Sequence, residues 1–173
     1  LMAVAVQKAA AAVSSTETLI KWPNDVIMHG KKITGILTEM YLKGEEIDFV
    51  VIGTGVNVKA QTFPEELVNA SDIETESGRE ISRKELLEVI VDEFFVLYEE
   101  YVKTGNLRFV KETYEKALVN KDREVLILDP AGEYCAVAEG IDEKGELLVR
   151  MADGTVRTVY AGEVSVRGIY GYV

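Results

Sequence analysis

The sequence predicts an α+β fold in which a mixed β-sheet with packed helices is followed by a small β-barrel. Three observations predict it. Strand-forming runs fill most of residues 18–58 behind one apolar helix, 3.6-residue periodicity fills the span from 82 to 118, and from about 122 short strand-like runs recur at spacings near ten residues. The switch from helical to strand periodicity sets two units, 1–121 and 122–173.

Taken in order, LMAVAVQKAAAAV reads as a buried helix. It is thirteen residues long and broken by Gln7 and Lys8, short of the roughly 20 that a membrane span needs, so no membrane association is expected. No basic leader or initiator methionine precedes it, and sequence upstream is expected. TLIKW is a short strand, PNDVIMHGKK is turn-prone, ITGILTEMYL is a longer strand, and KGEE closes a hairpin. IDFVVIGTGVNV is almost unbroken in its apolar character, which predicts a strand buried on both faces at the centre of the sheet.

Residues 59–81 mix proline, glycine and acids without a period and read as a long loop with one helical turn. Ser82-Arg83-Lys84-Glu85 is a capping box that opens a helix, whose predicted buried face is Leu87, Ile90, Val91, Phe94, Tyr98 and Tyr101 and whose stop is Gly105. A second helix carries Leu107, Val110, Tyr114 and Leu118 on one face. The strands EVLILD, YCAVAEGI, ELLVRM and TVRTVY, separated by DPAG, DEKG and ADG turns, make the barrel.

Composition excludes several functions. Thirty acidic against nineteen basic side chains give a net charge of -11, which repels a polyphosphate backbone and argues against nucleic-acid binding. The single cysteine, Cys135, cannot form an intrachain disulfide, so a cytoplasmic location is expected. His29 is the only histidine, in a turn, which leaves no credible catalytic triad and no zinc set. GTGVNV lacks the later glycine and the lysine of a general phosphate loop.

The residues that remain gather at strand ends. Lys21 closes one strand, Lys31 and Lys32 open the next, and Gly53 and Gly55 end the apolar one. Lysines suit carboxylate and phosphate oxygens where negative charge builds up. Glycines at 35, 53 and 55 let an extended ligand lie against backbone, and Asn57 can both donate and accept. Each also has an ordinary reading: a solvated lysine, a strand glycine at a bulge, and Trp22-Pro23 as core edge and turn. These residues alone leave a ligand site open.

KWPND at 21–25, K-x-x-G-I-L-x-E at 32–39 and G-x-G-V-N at 53–57 resemble the catalytic core of biotin protein ligases. FPEEL, the A-S-x-I and SGREISRKELL segments, the two later helices and the terminal barrel come in that family's order, so the resemblance covers essentially the whole chain. It implies a class II synthetase-like core followed by an SH3-like domain. It further implies that Lys21 is the catalytic lysine at the biotin carboxylate and α-phosphate, and that Lys32 is a second phosphate-side lysine. Gly35, Ile36 and Leu37 would line the biotin pocket, Gly53, Gly55 and Asn57 would lie beside biotin and adenosine, and Trp22, Pro23, Asn24 and Asp25 would position Lys21.

The implied reaction joins biotin to ATP, with Mg2+ on the phosphates, and then passes biotin to a lysine of a biotin carboxyl carrier protein domain. A direct ligand or magnesium role for Asn24 or Asp25, and a homodimer, are left open. The family's glycine- and arginine-rich biotin loop is not in this sequence, so the chain is expected to hold half the site and to be weak or inactive alone. Two rivals stand beside this reading: a lipoate-type protein ligase, and a non-catalytic module that docks a carrier protein. The first differs in the ligand it activates, and the second predicts no nucleotide binding.

Overall fold

The structure, a computed structural model, describes residues 1–161 and 165–168; the rest of the second predicted unit lies outside the described residues. Helix α1 (Met2–Ser14) leads into four strands, β1 (Leu19–Lys21), β2 (Asp25–Met28), β3 (Lys31–Lys43) and β4 (Glu46–Val56). They form one sheet in the order β1-β2-β3-β4. A five-residue helix α2 (Ile73–Ser77) interrupts the 59–81 loop, and helices α3 (Arg83–Thr104) and α4 (Arg108–Ala117) follow. The second sheet contains β5 (Glu124–Leu128), β6 (Tyr134–Ile141), β7 (Leu147–Arg150), β8 (Val156–Val159) and β9 (Ser165–Gly168), in the order β8-β7-β6-β5-β9.

The α+β class is the observed one, but the strands of both sheets pair antiparallel, and among the described residues the parallel pairings are the isolated bridges Ile20–Leu118 and Lys32–Ala70. A second difference is β2. DVIM was expected to be turn, yet all four residues are buried strand, because its β-branched and apolar side chains fit the core between two turns only a few residues apart.

The third difference concerns β4. Its apolar run predicted the centre of the sheet, whereas among the described residues it is the edge, paired only with β3. Phe49, Val50 and Val51 are 50%, 47% and 44% exposed, so the pattern that signals two-sided burial is met here by solvent. A fourth is β9, which pairs with β5 and for which no strand was expected.

The serine half of the capping box is formed, with the Ser82 hydroxyl accepting the Glu85 amide, and Gly105 ends α3 at φ 66 with its amide donating to Tyr101. The buried face of α3 is shifted by one residue, however, to Leu86, Ile90 and Leu97 with Phe94 partly covered, because α3 packs its stripe against α1. In α4 the expected face is the observed one, with Val110, Tyr114 and Ala117 inside and Leu118 buried as the cap. One core takes in α1, Ile20, Trp22, Val110 and Tyr114 together with Val125, Ile127, Ala138, Leu147 and Val149 of the second sheet.

Candidate functional site

Four residues form a row across the first sheet. Lys21 on β1 pairs with Asp25 on β2, Asp25 with Gly35 on β3, and Gly35 with Gly55 on β4. Residues directly opposed across strands point to one face, so a lysine, a carboxylate and two positions without side chains share a line. The next rung on that face is Leu37 opposite Gly53. Ile36 points to the other face, where it is buried in the core rather than lining the row.

Lys32 reaches this face through a bulge. The β2–β3 register shifts between Val26 and Ile27, so the extra residue, Ile33, flips the alternation and carries Lys32 round to the side of Gly35. The Lys32 ammonium then lies 2.6 Å from the Asp25 carboxylate. A Cβ added at Gly35 would sit 3.1 Å from both Cε and Nζ of Lys32, so glycine here makes room for the lysine's path. At Gly53 and Gly55 the nearest atom to an added Cβ is a carbonyl at 3.8 Å. The fold itself has no need of glycine there, and the bare backbone faces outward.

Lys21 is 8% exposed. Burial pushes its pKa below the usual lysine value; Asp25 opposes that shift, while the positive charges of Lys32 and Arg167 add to it. Arg167, on β9 of the second sheet, is thus a third cation acting on Lys21, and one that the sequence reading missed. A fifth strand one spacing beyond TVRTVY was the available signal.

The turn that carries Lys21 is stitched down on both sides. Asn24 donates its side-chain amide to the Ile36 carbonyl at 2.8 Å, and its own carbonyl accepts the Ile36 amide at 2.9 Å. Pro23 follows Trp22 through a cis peptide bond. The Trp22 indole, 3% exposed, donates to the Gly145 carbonyl at 2.9 Å, in the DEKG turn of the second sheet.

Asn57 spends its side-chain amide on the Ser71 carbonyl at 3.0 Å, and its backbone joins Ile33 and Ile73. It therefore anchors the 59–81 loop to the end of β4. The loop also runs beside Lys32: the Lys32 amide donates to Asn69 at 2.6 Å and the Ser71 amide to Lys32 at 2.9 Å. A cavity of about 200 Å³ lies there, lined by Lys32 and residues 66–70. His29 stands apart, exposed, with Nδ1 3.2 Å from a Glu76 carboxylate oxygen. Among the described residues no three His, Cys, Asp or Glu side chains are grouped to hold a metal.

The arrangement offers Lys21 and Lys32, with the field of Arg167, beside a strip of strand floored by Gly35, Gly53 and Gly55. Such a site can hold a ligand whose anionic head meets Lys21, Lys32 and Arg167 and whose body lies along β3 and β4.

Comparison with known proteins agrees at both ends of the chain. The family profile described as "Biotin/lipoate A/B protein ligase family" matches residues 1–57, and that described as "Biotin protein ligase C terminal domain" matches residues 122–167. The chain is 33% identical over 169 residues to the bifunctional ligase/repressor BirA of Bacillus spizizenii, covering 95% of this chain and 51% of that protein. It is 26% identical to the biotin--[acetyl-CoA-carboxylase] ligase of Paracoccus denitrificans, over 84% of this chain and 61% of that one.

Among solved structures, the apo biotin protein ligase from Aquifex aeolicus superposes with a TM-score of 0.84 at 26% identity, covering 96% of this chain and 72% of that chain. The same enzyme in complex with biotin and ATP gives 0.83 over 96% and 69%. The chain spans about half the length of the BirA relatives it matches. With one enzyme family matched at the sheet that carries the lysine row and again at the SH3-like second sheet, the chain belongs to the biotin protein ligase family.

Proposed function

We propose that this chain is part of a biotin protein ligase and carries half of the site that activates biotin with ATP and hands it to a carrier protein. The observation that carries the reading is the row Lys21–Asp25–Gly35–Gly55 with Lys32 folded onto its face. Biotin would lie along the glycine-floored strip with its carboxylate toward Lys21, and the nucleotide's phosphates would meet Lys32 and Arg167. Gly53 and Leu37 would border the biotin, and Asn57 would hold the 59–81 loop over the adenosine side.

In the first step a biotin carboxylate oxygen attacks the α-phosphorus of ATP, the bond to the bridging oxygen breaks, and pyrophosphate leaves with the electron pair. Lys21 lies where the attacking carboxylate and the phosphate bring negative charge together, and a fixed cation lowers that barrier without first having to be ordered. Asp25 holds Lys32 until phosphate oxygens compete for it. In the second step the amine of a carrier lysine attacks the acyl carbon, loses a proton, and AMP leaves. Magnesium is assigned to the phosphates of the incoming nucleotide, as part of the substrate, the usual way this ion enters a nucleotide site. The partner is a biotin carboxyl carrier protein domain.

The profile matching the first residues covers lipoate ligases as well, while the profile matching 122–167 is described for biotin protein ligases and supports biotin as the acid. The test is detection of the adenylate from α-labelled ATP and magnesium, with biotin or lipoate, using this chain and the full product of its gene. Biotinyl-adenylate from the full product, cut 10²-fold or more by Lys21→Ala, is the expected outcome. No adenylate from a folded full product, with either acid, would remove the enzyme reading and leave that of a carrier-docking module.

A further inference from the structure

The second sheet touches the lysine-bearing turn through residues 142–145, between β6 and β7. The Trp22 indole has one donor and no acceptor, and it spends that donor on the Gly145 carbonyl at 2.9 Å. The turn is itself braced. Asp142 accepts the amides of Lys144 at 2.8 Å and Glu146 at 3.0 Å through one carboxylate oxygen. The Glu143 carbonyl accepts the Leu107 amide at 2.8 Å, and its carboxylate pairs with Arg108 at the start of α4. Gly145 stands at φ +87, and a Cβ there would lie 3.0 Å from a Leu107 methyl. A rigid turn is thus fastened to the α3–α4 corner on one side and to Trp22 on the other.

We propose that the Asp142–Gly145 turn is a positioning element for Lys21. Its Gly145 carbonyl fixes the indole of Trp22 and, through the peptide bond they share, the direction in which Lys21 leaves the end of β1. The second sheet therefore acts on the activation step itself. Trp22, Gly145 and Asp142 are positioning residues that touch no reacting atom. This rests on reading Lys21 as the lysine at the reacting phosphate.

Trp22→Phe removes the donor while keeping a smaller aromatic ring in the core, and Asp142→Ala loosens the turn while leaving the indole intact. In the full gene product, both are expected to lower kcat for adenylate formation about tenfold while KM for biotin and ATP stays within about twofold, the pattern of a group felt only in the transition state. A second readout needs no activity: acylation of Lys21 by acetic anhydride, followed by mass spectrometry against the exposed Lys116, is expected to rise severalfold in both variants below their melting temperatures. If the wild type makes adenylate, an unchanged kcat in the folded variants overturns the proposal. If the wild type makes none, the ligase reading falls, and the labelling ratio decides alone: a rise supports positioning by the turn, and equal labelling overturns it. Should Trp22→Phe not fold, Asp142→Ala carries both readouts.

Discussion

Lys21 and its neighbours show how one residue's surroundings set its chemistry. Burial makes the charged ammonium expensive, and the Asp25 carboxylate that opposes this shift is also paired with Lys32. With the folded pKa below the unfolded one, the unfolded chain binds more protons in the window between that depressed value and the usual value near 10.5. Stability therefore rises with pH through that window, and the penalty is fully present below it. Lys21→Met is expected to melt higher than wild type at pH 7, with the gap narrowing toward pH 10; parallel thermal scans measure it. A constant gap would mean that Lys21 carries no such penalty. On the role proposed for Lys21, a destabilising charge is ordinary for a site that is completed by its ligand. Gly53 and Gly55 make the same point by subtraction, since nothing in the fold would collide with a side chain there.

At the scale of elements, local chemistry settled some features and left others to packing. The Ser82 cap, the stop at Gly105 and the face of α4 follow from residue types within one turn of chain, and the structure has them. The face of α3 does not follow in this way. Apolar residues come in adjacent pairs, 86 and 87, 90 and 91, 94 and 95, 97 and 98, so two neighbouring stripes both have helical spacing, and only the position of α1 selects between them. Leu86→Ala is expected to cost about 2–5 kcal/mol and Leu87→Ala less than about 0.5, as measured by urea unfolding; equal costs would restore the sequence-based phase. The site shows the same division. KWPND and the glycines were visible as residues, but the row they form depends on register and on a bulge at Ile33, and Arg167 enters from a strand about 145 positions away in sequence.

Considered as a whole molecule, the chain has a well-covered side and a bare one. The β3–β4 hairpin carries Leu42, Ile47, Phe49, Val50 and Val51 at 44–60% exposure, and among the described residues β4 is the edge strand. Such an edge is a template for pairing with another chain. Light scattering on this chain is expected to show association that grows with concentration, reduced by Val51→Lys; a monomer at all concentrations would count against it. The covered side is the junction, where one core joins both sheets and Trp22 spans the seam. Because Trp22 is the chain's only tryptophan, all indole fluorescence arises at that seam. The molecule carries a built-in optical probe of its own joint: the emission reads whether the two sheets are seated together, free of any signal from the surface or from the helices.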